Sequence, residues 1–240
     1  MRILVTRPEE AGQRTAARLR TLGHDPVLLP LMIAEHHPDA VLAALRQPHA
    51  ALAVTSAEAV RVLRSLGPEL TPQLGTTVFA VGEATAIAAR EAGFSSVQVA
   101  EGTGASMVEI FGGQLVRRTS SAPLLYLAGS PRSPVLEAGL AALEVPVLVA
   151  ETYSMHPLSI DPEAVETALG HPPIDIVLLY SQETARRFFE VVSSEESLEA
   201  LRRVPLLCLS ENVAKAVPER LRQNVHAATR PDEDSLLTLL

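Results

Sequence analysis

The chain has 240 residues, a formal net charge of -8 and an apolar fraction of 47%. Its length favours two domains of about 100 to 120 residues each, and its acidic charge argues against a nucleic-acid or anionic-membrane partner. No apolar run approaches the roughly 20 residues that cross a bilayer, and Cys208, the only cysteine, excludes a disulfide within the chain.

The N-terminal third predicts alternating strands and helices. Residues 2–5 have the alternating pattern of a β-strand, and residues 9–22 carry apolar or small side chains at helical spacing. Because this start lacks the apolar core and cleavage site of a signal peptide, we expect the protein in the cytoplasm. An extended run over 26–34 follows, and Asp39 is placed to cap the next helix.

The segment 78–93 predicts a strand, a tight turn and a helix. A short apolar run stops at Gly82, and alanines with Thr85 at helical spacing continue to Gly93. The first N–H groups of a helix have no partner within it and carry a partial positive charge. The start of this helix therefore suits an anionic ligand.

The same order of elements returns after the polar segment 117–121. A strand over 124–128 precedes a predicted turn over 129–131, and a helix is predicted over 213–221. The duplicated pattern of strands and helices predicts two parallel three-layer α/β domains. Matching positions recur about 120 residues apart, namely Thr55 and Ser56 with Ser181, and Gly82 with Ser210.

The division into domains has two alternatives. Two contiguous halves would separate near residue 120. However, the runs over 26–35 and 145–156 are long for strands, and each leads to a His-Pro pair. In the second alternative they are strands that cross between domains, and the middle of the chain is an inserted domain.

Motifs for several classes of enzyme are absent from the sequence. Gly82 lacks the G-x-G-x-x-G spacing, and neither a phosphate-binding P-loop nor a G-x-S-x-G nucleophile elbow occurs. The histidines lack metal-ligand spacing. We therefore expect no metal and no nucleotide cofactor.

The candidate binding residues are small donors at strand ends where helices begin. Ligands of open α/β sheets bind outside the carboxyl ends of the strands. The alternative is that each serine or threonine only caps its own helix, but recurrence in both repeats favours a shared cleft. The set consists of Thr6, Thr55, Ser56, Gly82, Thr85, Gly129, Ser130, Ser181 and Ser210.

Five segments, in chain order, resemble the uroporphyrinogen-III synthase family. They are residues 3–8 (ILVTRP), 54–57 (VTSA), 80–86 (AVGEATA), 126–129 (YLAG) and 151–153 (ETY). The resemblance implies two α/β domains joined by a two-stranded linker, the second inserted into the first. Domain 1 would comprise residues 1–33 and 156–240, domain 2 residues 36–152, and the linker strands residues 31–36 and 150–157.

The resemblance also implies a reaction. Hydroxymethylbilane, a linear tetrapyrrole polycarboxylate, would lose water and close to uroporphyrinogen III with its last ring inverted. The enzyme would be a cytoplasmic, monomeric lyase without a cofactor, with no nucleic-acid or membrane partner. Tyr153 would assist departure of the hydroxyl, and the residues expected to meet substrate carboxylates are Arg7, Thr55, Ser56, Gly82, Thr85, Ser130 and Ser181.

One segment departs from the family pattern. Residues 209–213 read LSENV where the family usually has a glycine followed by threonines, and Glu211 would place a negative charge near an anionic ligand. The alternative function is therefore a non-catalytic two-domain protein that binds or senses a small anionic metabolite.

Overall fold

The computed structural model describes residues 1–113, 122–170 and 172–240. Contacts divide the chain into unit 1, which comprises Met1–Ile33 and His156–Leu240, and unit 2, which comprises Ala34–Met155. The predicted polar segment 117–121 lies outside the described residues. Among those residues, no helix combines the length and apolar character that a membrane span requires.

The described strands and helices alternate along most of the chain. The strands are β1 (Arg2–Val5), β2 (Asp25–Leu28), β3 (Met32–His36), β4 (Ala51–Val54), β5 (Val78–Ala80), β6 (Val97–Val99), β7 (Leu124–Ser130), β8 (Val147–Pro157), β9 (Ile176–Leu179), β10 (Leu206–Cys208) and β11 (Val225–Ala227). The helices are α1 (Glu9–Thr21), α2 (Pro38–Leu45), α3 (Ala57–Ser65), α4 (Glu83–Glu91), α5 (Gly104–Gly113), α6 (Val135–Ala142), α7 (Pro162–Leu169), α8 (Gln182–Val191), α9 (Glu195–Ala200), α10 (Glu211–Ala214) and α11 (Glu233–Leu237).

Unit 1 contains a parallel five-stranded sheet in the order β11-β10-β9-β1-β2. Ile3, Val5 and Leu178 are fully or almost fully buried in its core. From β1 the chain proceeds outward to β2, and from β9 it proceeds in the opposite direction to β10 and β11. The carboxyl ends of β1 and β9 therefore form the switch point at which ligands bind in sheets of this kind.

Unit 2 is built on a six-stranded sheet in the order β3-β8-β7-β4-β5-β6. The pairs from β8 to β6 are parallel. Strand β3 runs antiparallel to β8, because His37 N donates to Thr152 O at 2.8 Å whereas Leu31 O accepts from Leu158 N at 2.9 Å. One apolar core lies on each face of the sheet, the first around Leu52 and Val54 and the second around Ala53 and Phe79. The predicted parallel α/β class is confirmed.

Prolines explain three differences from the predicted elements. The extended run over 26–34 is two strands that end and begin on either side of Pro30. Helix α2 starts at Pro38 after His37, so Asp39 lies in its first turn and does not cap it. The helix predicted over 213–221 is wrong, because Pro218, which has no N–H, separates α10 from a short 3-10 helix, Glu219–Asn224.

The turn predicted over 129–131 is also wrong. Strand β7 continues through Ser130, with a register shift against β8 between Ala128 and Gly129. After the shift, Gly129 pairs with Tyr153 and Ser130 with Ser154. The strand is longer than predicted because β8 is itself long and supplies partners to its end.

Candidate functional site

The carboxyl end of β4 presents the predicted residues Thr55 and Ser56. Ser56 has an extended backbone and is the N-cap of α3, where its Oγ accepts a hydrogen bond from Glu58 N at 3.1 Å. The capping alternative is thus correct for Ser56 as a description of its local geometry. Capping consumes one acceptor site of the hydroxyl, which can still bond a second partner.

Tyr153 is a neighbour of Ser56. It lies in β8, is 9% exposed, and the Ser56 side chain is close enough to its phenol to affect the pKa of the phenol. Burial raises the pKa of Tyr153, the Ser56 side chain opposes the rise, and the nearby Glu58 carboxylate adds to it. The phenol therefore stays protonated at neutral pH and acts as a hydrogen-bond donor.

Gly129 is a glycine because the Tyr153 ring occupies the space beside it. A Cβ atom at position 129 would lie 2.3 Å from Tyr153 Cζ and 2.4 Å from its hydroxyl oxygen. No side chain tolerates such a contact without moving the ring. The register shift before Gly129 and the missing Cβ together place the phenol at this edge of the sheet.

Tyr126 is a residue that sequence reasoning missed as part of the site. It lies in β7, is 2% exposed, and its hydroxyl is 3.1 Å from Thr55 Oγ1. Burial raises the pKa of Tyr126, and the bond to Thr55 only partly offsets the rise. A signal was available, because the tyrosine opens one of the five segments that carry the resemblance.

The two tyrosines approach Thr55 and Ser56 from opposite faces of the sheet. Tyr126 packs in the core around Phe79, and Tyr153 packs in the core around Val54. Each apolar ring is buried while its hydroxyl reaches the end of β4. The arrangement fixes both hydroxyls and orients the turn between them.

Gly82 and Thr85 lie at the end of the neighbouring strand, β5. Val81 N donates to Val54 O at 3.0 Å, so this end lies directly beside Thr55. Gly82 is the N-cap of α4 and supplies no side-chain cap. A Cβ at position 82 would be 3.4 Å from Gly102 Cα. Thr85 is 5% exposed, and its N–H already donates to Gly82 O at 3.1 Å.

Charged side chains surround this edge of unit 2. His36, at the end of β3, has Nε2 2.7 Å from Glu58 Oε1, and Arg61 Nη1 is 3.0 Å from Glu58 Oε2. After Ser130, the half-buried last residue of β7, Arg132 contacts Glu137 at 2.6 Å and Glu151 at 3.1 Å.

In unit 1, Arg7 follows β1 at the switch point and is held by the chain's own carboxylate. Its Nη1 lies 2.9 Å from Glu233 Oε1, and its guanidinium stacks 4.1 Å from the centre of the Tyr180 ring. Thr15 and Tyr180 donate to the same oxygen at 2.6 and 2.7 Å. A substrate carboxylate would have to compete with Glu233 for Arg7.

These donors control the charge of Glu233. Burial alone would raise the pKa of Glu233, but hydrogen bonds from Thr15 and Tyr180 and the charges of Arg7 and Arg18 outweigh it. The pKa of the carboxyl therefore lies below its usual value, and Glu233 is ionised at neutral pH.

Ser181 and Ser210 cap their own helices in unit 1. Ser181 Oγ accepts from Thr184 N at 3.0 Å, and Ser210 Oγ accepts from Val213 N at 3.4 Å. Glu211 lies in the first turn of α10, where the helix dipole favours a carboxylate. A cavity of about 340 Å³ nearby is lined by Glu211, Ala214, Lys215, Arg222, Val225 and Ala227, and it contains none of the predicted site residues.

The structure thus gathers the predicted residues at two sheet edges. Thr55, Ser56, Gly82 and Tyr153 lie at the carboxyl edge in unit 2, and Arg7 and Ser181 follow adjacent strands in unit 1. Within the described ranges, no group of three or more histidine, cysteine, aspartate or glutamate side chains could hold a metal ion. The unit 2 edge offers hydroxyl and N–H donors, which suit the carboxylates of a ligand.

The family model described as uroporphyrinogen-III synthase HemD matches residues 13–238. No curated protein matched the chain significantly.

Solved structures give a similar result. A mutant uroporphyrinogen III synthase from the extremely thermophilic bacterium Thermus thermophilus is 24% identical with a TM-score of 0.56, over 99% of this chain and 96% of that one. The uroporphyrinogen-III synthetase from Helicobacter pylori is 15% identical with a TM-score of 0.65, over 99% and 96% of the two chains. At these identities the likeness concerns the fold.

Proposed function

Because the chain belongs to the uroporphyrinogen-III synthase family, we propose that it closes hydroxymethylbilane to uroporphyrinogen III, with loss of water and inversion of the last pyrrole ring. The observation that carries the proposal is the family match over residues 13–238. We further propose that the enzyme is a lyase, that it needs no cofactor, and that it acts as a monomer in the cytoplasm.

The donors at the strand ends support this proposal. The substrate is a chain of pyrroles that bears many carboxylates, and each carboxylate needs N–H or O–H donors when it leaves water. In the proposal, Thr55, Ser56 and the start of α4 at Gly82 contribute such donors at adjacent strand ends in unit 2. Thr85 and Ser181 would join them by exchanging existing bonds, since Thr85 N donates to Gly82 O and Ser181 Oγ donates to Thr184 Oγ1. In the proposal these residues bind and orient the substrate.

Tyr153 is proposed to act on the reacting end of the substrate. Its ring occupies the space beside Gly129, and its hydroxyl lies close to Ser56. Since burial raises the pKa of Tyr153, the phenol would donate a hydrogen bond to the departing hydroxyl and retain its own proton. Such a fixed donor stabilises the charge that develops on the oxygen as the C–O bond breaks.

Arg7 is proposed to contribute less to substrate binding than the donors in unit 2. Its guanidinium already neutralises Glu233, so it would add a substrate contact only through donor groups that face away from that carboxylate. We propose that Ser130, which ends β7 beside Arg132, contacts the substrate through its hydroxyl.

The test is to incubate the protein with freshly made hydroxymethylbilane and to separate the product isomers by chromatography. The linear substrate also closes spontaneously without inversion, so the inverted isomer is the product that reports the enzyme. We expect the inverted isomer to predominate. Accumulation of only the non-inverted isomer, at the rate of the protein-free control, would reject the proposed function in favour of a binding protein.

A further inference from the structure

Departure of the hydroxyl requires a proton, and Tyr153 is poorly suited to supply it. A hydroxyl leaves readily as water but poorly as hydroxide, so an acid has to protonate it in the transition state. The Tyr153 ring is 9% exposed and packs in an apolar core. A phenolate left there after proton transfer would be costly, so the donor of the proton should be another group.

The His36 imidazole is a proton-carrying group at the same sheet edge. Its Nε2 is 2.7 Å from Glu58 Oε1, and 36% of the His36 side chain is exposed. Glu58 N bonds to Ser56 Oγ, and Ser56 lies close to the Tyr153 phenol. The first turn of α3 therefore has a neighbour of each group: the Glu58 side chain contacts the imidazole, and Ser56, the N-cap, lies beside the phenol.

Glu58 is held so that it can orient the imidazole. It is 15% exposed, and Arg61 Nη1 contacts its other oxygen, Oε2, at 3.0 Å. Its position in the first turn of α3 adds the favourable field of the helix N-terminus. A carboxylate fixed on one ring nitrogen determines the orientation of the ring and leaves the other nitrogen to face a ligand.

Building on the proposed function, we propose that His36, oriented by Glu58, is a further catalytic residue that donates a proton to the departing hydroxyl. In this step the C–O bond of the hydroxymethyl group breaks and its electron pair stays with oxygen. The oxygen also takes the His36 proton and leaves as water. The nitrogen of the same pyrrole ring supplies an electron pair to the exposed carbon, which becomes an electrophile.

The proton balance closes within the reaction. His36 is neutral after water departs. For inversion, the already substituted carbon of the last ring bonds to the electrophile, and the older bond from that carbon to its neighbouring methylene then breaks, which makes the methylene the second electrophile. The free carbon of the last ring next to nitrogen closes on this methylene and releases its proton. Neutral His36 accepts that proton and returns to its starting form. The sum is the loss of one water molecule from the substrate, without an oxidant, a reductant or a cofactor.

A purely structural role for the pair is the competing explanation. The contact between His36 on β3 and Glu58 on α3 spans 22 positions in the sequence and also ties a strand to a helix. If the contact served only to hold the strand against the helix, its loss would lower the melting temperature, and an added acid would not restore the rate.

The experiment uses the full chain with hydroxymethylbilane and follows formation of the inverted isomer. His36→Gln is expected to lower kcat by about a hundredfold, within the usual contribution of general acid catalysis, with KM changed less than threefold. His37→Gln is the matched control, because His37 is adjacent and bonds Ser154 Oγ at 2.9 Å. Its kcat should stay within threefold of the unaltered protein.

Chemical rescue separates proton donation from structure. In His36→Ala, added imidazole should raise kcat at least tenfold. The same concentration of imidazole should leave the kcat of His37→Gln unchanged. Melting temperatures of all variants are measured alongside. Rescue of His36→Ala together with a slow His36→Gln supports the proposal.

The outcomes distinguish this inference from the proposed function. If the unaltered protein forms no inverted isomer, the proposed function itself fails. If that protein is active and His36→Gln has an unaltered kcat, or if imidazole rescues nothing in His36→Ala, His36 is not the proton donor and the inference is overturned.

Discussion

At the scale of single residues, the Tyr153 ring fits in its position only because Gly129 beside it has no side chain. Gly129→Ala would place a methyl group 2.3 Å from Tyr153 Cζ, so the ring has to move away from Ser56. We expect the substitution to lower kcat about ten- to a hundredfold, the typical range for a displaced catalytic donor, and to lower the melting temperature because the core is overpacked. Gly75→Ala is the control, since nothing lies within 4 Å of a Cβ there.

Tyr153→Phe tests the hydroxyl while it preserves the ring. The phenylalanine keeps the apolar packing of the site and removes only the hydroxyl, which is the proposed donor to the substrate and lies close to Ser56. We expect turnover to fall about ten- to a hundredfold, with a melting temperature within about 2 °C of the parent. An unaltered rate of inverted-isomer formation would show that the phenol has no part in the reaction.

At the scale of elements, the hydroxyls that cap helices are also the proposed substrate donors. Ser56→Ala and Ser181→Ala each remove one capping bond and should cost about 1 kcal/mol of stability. Each should also weaken substrate binding by about 0.5 to 1.5 kcal/mol, the worth of one hydrogen bond.

Turnover should persist in both serine variants, because binding is spread over many donors. Denaturant unfolding and the KM of isomer formation measure the two effects. A drop of more than about a thousandfold in kcat for either variant exceeds the worth of one binding contact. It would identify that hydroxyl as catalytic and contradict distributed binding.

Helix α11 is attached to the sheet of unit 1 by Glu233, and the attachment depends on pH. The folded-state pKa of Glu233 lies below its usual value, so its contribution to stability is present above the unfolded-state pKa of about 4.3. It is lost as pH falls through the lower folded-state pKa. Glu233→Gln should therefore destabilise the protein at pH 7 by about 2 kcal/mol and by progressively less below about pH 4.

Melting temperatures between pH 7 and pH 3 test this dependence. Glu10→Gln is the control, because Glu10 pairs with Arg14 at an exposed position of α1 and should change stability by less than about 1 kcal/mol. A Glu233→Gln difference that stays constant over the whole pH range would show that the charge of Glu233 does not stabilise the fold.

At the scale of the whole molecule, the sequence predicted the layers and the strand ends but not the contacts between distant side chains. Short apolar runs that end in small donors identify parallel strands and helix starts, and Ser56, Gly82 and Ser181 are N-caps as their patterns suggest. The approach of Tyr153 to Gly129 depends on a register shift, which no local pattern encodes.

The engagement of Arg7 by Glu233 illustrates the same limit. The two residues are 226 positions apart, and their contact depends on how α11 packs beside β1. Likewise, His36 meets Glu58 only after β3 has paired with β8. Positions that lie at the same sheet edge can be predicted from parallel topology, but the partner of each side chain follows from tertiary packing.

The single cysteine reports unfolding of unit 1. Cys208 is fully buried in β10, and burial, with a smaller effect from Glu211, raises the pKa of its thiol to about 12. An aromatic disulfide reagent at pH 8 should therefore leave the folded protein unlabelled and modify one thiol per chain in urea. Stoichiometric labelling within minutes in native buffer would contradict the buried position of β10.

The discontinuity of unit 1 has a consequence for synthesis on the ribosome. Residues 1–33 emerge before unit 2, yet β1 pairs through Ile3 with Ile176 of β9. A nascent chain that ends at Met155 holds all of unit 2 but only two strands of the unit 1 sheet, too few to be stable alone. Unit 2 should therefore fold first during translation. Residues 1–33 should stay unpaired and accessible to chaperones until β9 has been synthesised.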